Sequence, residues 1–145
     1  MPLFAIGHST RSIDKFIQLL KAHEVTVLAD IRTIPRSAHN PQFNRENLER
    51  VLPAEGIQYR HLKTLGGFRG GFKGYREYMK TPEFEVALNE LRSSGETQNV
   101  AFMCAEGNPF RCHRSLVADA LTDRGEKVFH ISSPRSAREH KKGFS

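Results

Sequence analysis

Apolar positions along this chain alternate between short continuous runs and stripes at helical spacing. Leu3 to Ile6 is a short apolar run that predicts a strand ending at Gly7-His8-Ser9. Ser12 is an N-cap residue, followed by Ile13, Phe16, Ile17 and Leu20 on one helical face. Val25 to Ile31 predicts a second strand, and a loop with Pro35 and Pro41 follows it. Asn44 opens a helix with Leu48, Val51 and Leu52 inward, which Pro53 and Gly56 end. Ile57 to Leu62 predicts a third strand, followed by a glycine-rich loop from Gly66 to Gly74. Thr81-Pro82 starts a helix that buries Phe84, Ala87, Leu88 and Leu91 and stops at Gly95. Val100 to Met103 is the fourth strand. Leu116, Val117, Ala120 and Leu121 mark a helix ending at Gly125, and Val128 to Ile131 is the fifth strand.

Strict alternation of strand and helix predicts an α/β fold. The expected architecture is a single domain of three layers over residues 1–133, a mainly parallel five-stranded sheet with helices on both faces. Residues 134–145 are expected to be a basic, mobile tail, because they have no apolar period. Parallel strands would bring one set of residue pairs to one edge: His8 and Ser9, Asp30 and Arg32, Tyr59 and His61, Cys104 and Glu106, His130 and Ser132. In such sheets ligands bind at that edge.

Composition narrows the class. The 145 residues suit one core, and 38% hydrophobic with 26% charged residues is ordinary for a globular protein. No run approaches the length of a membrane-spanning helix. Met1 to His8 lacks the basic start and long apolar stretch of a signal peptide, so a cytoplasmic location and no membrane partner are expected. In that setting the two cysteines favour free thiols over a lasting disulfide. The net charge is +6, and Arg135, Arg138, Lys141 and Lys142 carry much of it near the end of the chain.

Chemistry concentrates in Cys104-Ala105-Glu106-Gly107-Asn108-Pro109-Phe110-Arg111-Cys112-His113-Arg114, between a strand end and a helix start. Free N–H groups and the helix dipole make such a place suited to anions. The same field and basic neighbours lower a thiol pKa, which marks Cys112 at the helix start as the more acidic cysteine. Cysteine phosphatase loops place five residues between Cys and Arg. Here six separate Cys104 from Arg111, and Pro109 removes one N–H donor. Metal ligation by Cys104, Cys112 and His113 with His8, His61 or Asp30 is an alternative, but the spacing is no standard zinc pattern. Asp30 and Glu106 could also act as an acid–base pair, or pair with Arg32 and Arg114 to clamp loops together. In the segment from Gly66 to Arg76, Phe68, Phe72 and Tyr75 interleave with Arg69, Lys73 and Arg76. That pattern suits a mobile lid, a grip on nucleobases, or a long surface loop with its phenylalanines tucked onto the core.

Several of these motifs resemble the DUF488 family of small bacterial and archaeal proteins. They are Ile6-Gly7-His8-Ser9, Asp30-x-Arg32-x-x-Pro35-x-Ser37, Tyr59-x-His61-Leu62, Leu65-Gly66-Gly67, and Cys104-Ala105-Glu106 running to Cys112-His113-Arg114. The resemblance implies a compact α/β domain and supplies no reaction, because the family's function is unknown. From the residues themselves, an enzyme is expected, a hydrolase or transferase acting on a nucleotide, nucleic-acid fragment or other phosphorylated molecule. Asp30, Glu106, Cys104 and Cys112 are its candidate catalytic groups. His8, Ser9, Arg32, Tyr59, His61, Arg111, His113 and Arg114 are its candidate substrate-binding groups. A non-catalytic nucleic-acid- or metal-binding module is the alternative. The residues name no cofactor.

Overall fold

Six strands join edge to edge in one mixed sheet in the computed structural model, which describes residues 2–67, 69–108 and 111–142. They are β1 (Leu3–Gly7), β2 (Val27–Asp30), β3 (Gln58–His61), β4 (Val100–Cys104), β5 (Val128–Ser133) and β6 (Ser136–Glu139). Their spatial order is β3-β2-β4-β1-β5-β6. The first five run parallel, and β6 is antiparallel to β5.

Among the described residues, five α-helices connect or flank the strands: α1 (Ile13–Ala22), α2 (Arg45–Val51), α3 (Gly71–Tyr78), α4 (Pro82–Thr97) and α5 (Arg114–Asp123). Two of them start on the expected caps. Ser12 accepts from the Lys15 N–H at the head of α1, and Thr81 accepts from the Phe84 N–H with Pro82 in the first turn of α4. Successive strand residues point to opposite faces, so the buried side chains separate into two clusters. One joins Leu3, Ala5, Val27, Ala29, Val100 and Phe102 to residues of α3, α4 and α5. The other joins Ile6, Leu28, Ala101 and Met103 to residues of α1 and α2. The β2-to-β3 connection therefore runs over one face and the β4-to-β5 connection over the other. A crevice opens where such connections diverge, at the C-terminal ends of adjacent strands β2 and β4.

Two expectations need correction. The sheet has six strands and is mixed, because residues 136–139 of the supposed tail form an edge strand. Pro134 and Arg135 turn the chain back, Ala137 pairs with Ile131, and Arg138 pairs with His130. The absence of an apolar period misled here, since an edge strand with a solvated face needs none. The segment is also anchored by side chains. His140 is 6% exposed, its Nε2 lies 2.7 Å from Asp119 Oδ1, and its Nδ1 lies 2.9 Å from His130 Nε2. Lys142 pairs with Asp123. The second correction concerns the glycine-rich segment, much of which is helix α3. Tyr75 is fully buried and donates to the Leu65 carbonyl, while Phe72 packs against the core. Gly74 lets this helix form, because a Cβ there would collide with the Arg69 carbonyl oxygen at 1.8 Å. Phe68, part of the same expectation, lies outside the described residues.

Candidate functional site

The carboxyl ends of β1, β2 and β4 lie side by side, with Gly7 opposite Cys104 and Asp30 opposite Met103. The pairing of β1 and β4 extends past both strands, as the N–H groups of His8 and Ser9 donate to the carbonyls of Cys104 and Ala105. Ser9 takes a positive φ of 52° to do so. This holds the start of the cysteine loop against the end of β1. Gly7 is obligatory for close approach: a Cβ there would meet the Glu106 carbonyl oxygen at 1.9 Å and Arg114 Nη1 at 2.5 Å.

Cys104 ends β4 and is 1% exposed. Arg114, in the first turn of α5, reaches back across the loop. Its Nη1 lies 3.3 Å from Cys104 Sγ and donates to the Glu106 carbonyl at 3.0 Å, and its Nη2 donates to the Gly107 carbonyl at 3.3 Å. The guanidinium is 2% exposed, and no described carboxylate forms an ion pair with it. A buried cation needs a counter-charge, and the group positioned to supply one is the Cys104 sulfur. Burial opposes ionisation of Cys104. The hydrogen bond from the Cys112 thiol and the Arg114 charge outweigh it and hold Cys104 below the ordinary thiol value. The hydrogen bond to Cys104, burial, and the Cys104 charge together push the Cys112 thiol up. The expected order of the two cysteines is thus reversed. The interaction with Cys112 and then the Arg114 guanidinium at hydrogen-bond distance act on Cys104 in this direction.

The helix start also differs from expectation. Its N–H groups are not free for an anion. That of Arg114 points at Cys112 Sγ at 3.5 Å, and those of Ser115 and Leu116 donate to the carbonyls of Cys112 and His113. Nor does Arg114 present its charge to a ligand, since it is enclosed by the loop it holds.

Asp30, wholly buried, forms a clamp. Arg32 Nε donates to Oδ1 at 2.9 Å and Arg32 Nη2 to Oδ2 at 2.7 Å, a bidentate pair. Tyr59 donates to Oδ2 at 2.5 Å, and burial with the Asp30 charge pushes its phenol up. Arg32 also donates to the Phe43 carbonyl at 2.8 Å. His8 stacks on Phe43 with ring centroids 4.4 Å apart. Its Nδ1 donates to the Ser9 carbonyl, which leaves Nε2 as the acceptor facing Arg32 Nη1 at 3.5 Å. His61 donates through Nε2 to the Arg32 carbonyl at 2.7 Å. Asp30, Tyr59, His8 and His61 thus hold the Arg32 segment in place.

A cavity of about 440 Å³ lies between the ends of β2 and β4. Six of the expected site residues line it: Arg32, Cys104, Glu106, Arg111, Cys112 and His113. His8, Ser9, Asp30, Tyr59, His61 and Arg114 stand behind that lining and do not form it. Asp30 and Cys104 therefore share a sheet edge without sharing a pocket. The remaining wall comes from Thr33, Ile34, Arg36, Gly67, Arg69, Phe72 and Tyr75, among others. Arg36 and Ile34 follow directly on the Asp30-x-Arg32 motif, a signal available in the sequence. Arg69 lies 3.5 Å over the Tyr78 ring and Tyr75 packs edge-on against His113, so the helix that looked like a lid forms a fixed wall. Among the described residues, no group of three or more His, Cys, Asp or Glu is placed to hold a metal ion.

Desolvation, the largest influence, lowers His8 from 6.5 to about 4, and Arg32 adds to the effect. A buried base whose folded pKa is depressed stabilises nothing when charged. The unfolded chain binds the proton first, so stability is lost as pH falls from about 6.5 towards 4. His130 behaves likewise, lowered by burial to about 3. Urea unfolding at pH 7 and pH 4.5 should show a loss on the order of 2–3 kcal/mol from each of these two groups. A His8→Asn variant with undiminished acid sensitivity would remove His8 from this explanation.

The fold and this edge define an α/β protein with a thiol and its arginine partner set beside a cleft between parallel strands. The family model described as domain of unknown function DUF488 matches residues 12–121, and the chain belongs to that family. No curated protein and no solved structure matches it.

Proposed function

We propose that the protein is an enzyme that uses Cys104 as a nucleophile on a small anionic substrate, of the phosphorylated class, held in the cleft between β2 and β4. The observation that carries this reading is the buried Arg114 guanidinium whose charge faces the Cys104 sulfur. An ionised thiol is the nucleophilic form. Arg32, Arg36, Arg69 and Arg111 line the same cavity, with Glu106 the acidic residue among its lining. Ile34, Phe72 and Tyr75 give it an apolar wall suited to a base or another ring. The two-faced helix arrangement supports the finer description of the fold as three-layered and Rossmann-like.

In the proposed reaction the Cys104 thiolate attacks phosphorus, and the bond from phosphorus to the leaving oxygen breaks. That oxygen takes a proton from water. Hydrolysis or transfer to a second acceptor then restores the thiolate. Arg114 stabilises the thiolate before attack and after release. Asp30 acts through Arg32, which it orients towards the cavity, and is a positioning residue.

The test is a panel of aryl phosphates and mononucleotides assayed for turnover, with acid quenching and mass measurement of the protein. Turnover with a phosphoryl adduct on Cys104, abolished in Cys104→Ser, is the expected result. Turnover surviving in Cys104→Ser would overturn the nucleophile. Salt-sensitive binding of oligonucleotides without turnover would favour a nucleic-acid-binding module instead.

A further inference from the structure

Cys112 has no part in that reaction, yet both cysteines line the same cavity and both sulfurs touch Arg114, Cys104 Sγ at Nη1 and Cys112 Sγ at the backbone N–H. Its other neighbour is His113 Nδ1, 3.4 Å away. The tautomer of that ring follows from geometry. His113 Nε2 lies 3.0 Å from the Ile31 carbonyl oxygen, which can only accept, so Nε2 carries the hydrogen and Nδ1 offers a lone pair to the Cys112 thiol. The Arg114 N–H points at Cys112 Sγ from another side. Three groups thus meet at this edge: the Cys104 sulfur facing the Arg114 guanidinium, the Cys112 sulfur, and a ring nitrogen beside it able to take a proton.

We propose that Cys112 is the resolving thiol of a redox pair, so that oxidation of Cys104 by a hydroperoxide ends in a reversible Cys104–Cys112 disulfide. The proposal rests on the thiolate reading of Cys104 and adds a second reaction at that site. In the first step the Cys104 sulfur attacks the peroxide. A sulfur–oxygen bond forms, the oxygen–oxygen bond breaks, and the departing alkoxide or hydroxide takes a proton from water. Cys104 is then a neutral sulfenic acid, and the peroxide has been reduced to alcohol or water. In the second step Cys112 passes its proton to His113 Nδ1, and its sulfur attacks the sulfenic sulfur. The disulfide forms, and hydroxide leaves and collects the proton as water. The two steps follow in order for a physical reason. While Cys104 is negative it disfavours a second charge on Cys112, and that opposition ends once Cys104 is oxidised.

The reduced full-length protein, treated with equimolar hydrogen peroxide, should lose two hydrogens by intact mass. It should yield a peptide pair linked through Cys104 and Cys112, and return to its starting mass with dithiothreitol. Cys112→Ser should instead accumulate a dimedone-reactive sulfenic acid on Cys104, and His113→Gln should form that acid at the wild-type rate but close the disulfide several-fold more slowly. Iodoacetamide labelling separates the two readings. Rapid labelling of Cys104 without any intramolecular disulfide would overturn the resolving role alone. Labelling no faster than free cysteine would overturn the thiolate as well. Wild-type protein that traps as much dimedone as Cys112→Ser also rejects the proposal.

Discussion

Arg114→Gln is expected to slow alkylation of Cys104 at pH 7 on the order of tenfold or more, by returning its pKa towards the ~8.5 of a free thiol. The guanidinium is within hydrogen-bond distance of the sulfur, and no described carboxylate competes for its charge. Removing it leaves burial, which favours the neutral thiol, as the larger influence. The pH–rate profile should move to higher pH and keep its shape. Arg114→Lys retains a charge but not the fork that also holds the Glu106 and Gly107 carbonyls, so an intermediate profile is expected. Thermal unfolding of both variants establishes that they fold. A folded Arg114→Gln protein with an unchanged profile would dismiss Arg114 as the counter-charge, and the nucleophile with it.

The second large effect is on stability. Asp30→Asn keeps the size of the side chain but removes the charge that compensates Arg32. Breaking one side of a buried ion pair costs about 3–5 kcal/mol, because the partner is left unpaired in the interior. Arg32 is 6% exposed, so water offers little relief. Tyr59 would still find an oxygen at that position, which is why the loss is assigned to the ion pair. Urea unfolding of Asp30→Asn, Arg32→Met and the double variant measures the coupling. The double variant should be less destabilised than the sum of the two. Additive losses, or a loss under 1 kcal/mol for Asp30→Asn, would show that the clamp contributes little.

Four of the first five strands were legible in the sequence because each is a short apolar run between turn residues, whereas polar β3 was marked only by the flanking Ile57 and Leu62. The two helix starts with a Ser or Thr cap were legible because capping is local chemistry. The convergence of Asp30 and Cys104 on one edge followed from parallel topology, before any contact was known. What escaped depended on partners far along the chain. Strand β6 is polar and is held through a hairpin and through the Asp119–His140–His130 contacts, none of which leaves a local period. Helix α3 contains two glycines, Gly71 and Gly74, which argued for a loop, yet burial of Tyr75 and Phe72 overrode the propensity. The order of the two thiols escaped for a similar reason. Arg114 lies two residues from Cys112 in sequence, but its side chain folds back to Cys104.

The family match begins at residue 12, whereas β1 ends at Gly7 and sits in the middle of the sheet between β4 and β5. A fragment cut to the matched residues would therefore lose an interior strand and not a margin. It would also lose β5 and β6, leaving β4 with a fully apolar, unpaired edge. Such an edge invites pairing between chains, so the matched segment, expressed by itself, would be an aggregation-prone sheet lacking the glycine against which the cysteine loop is built.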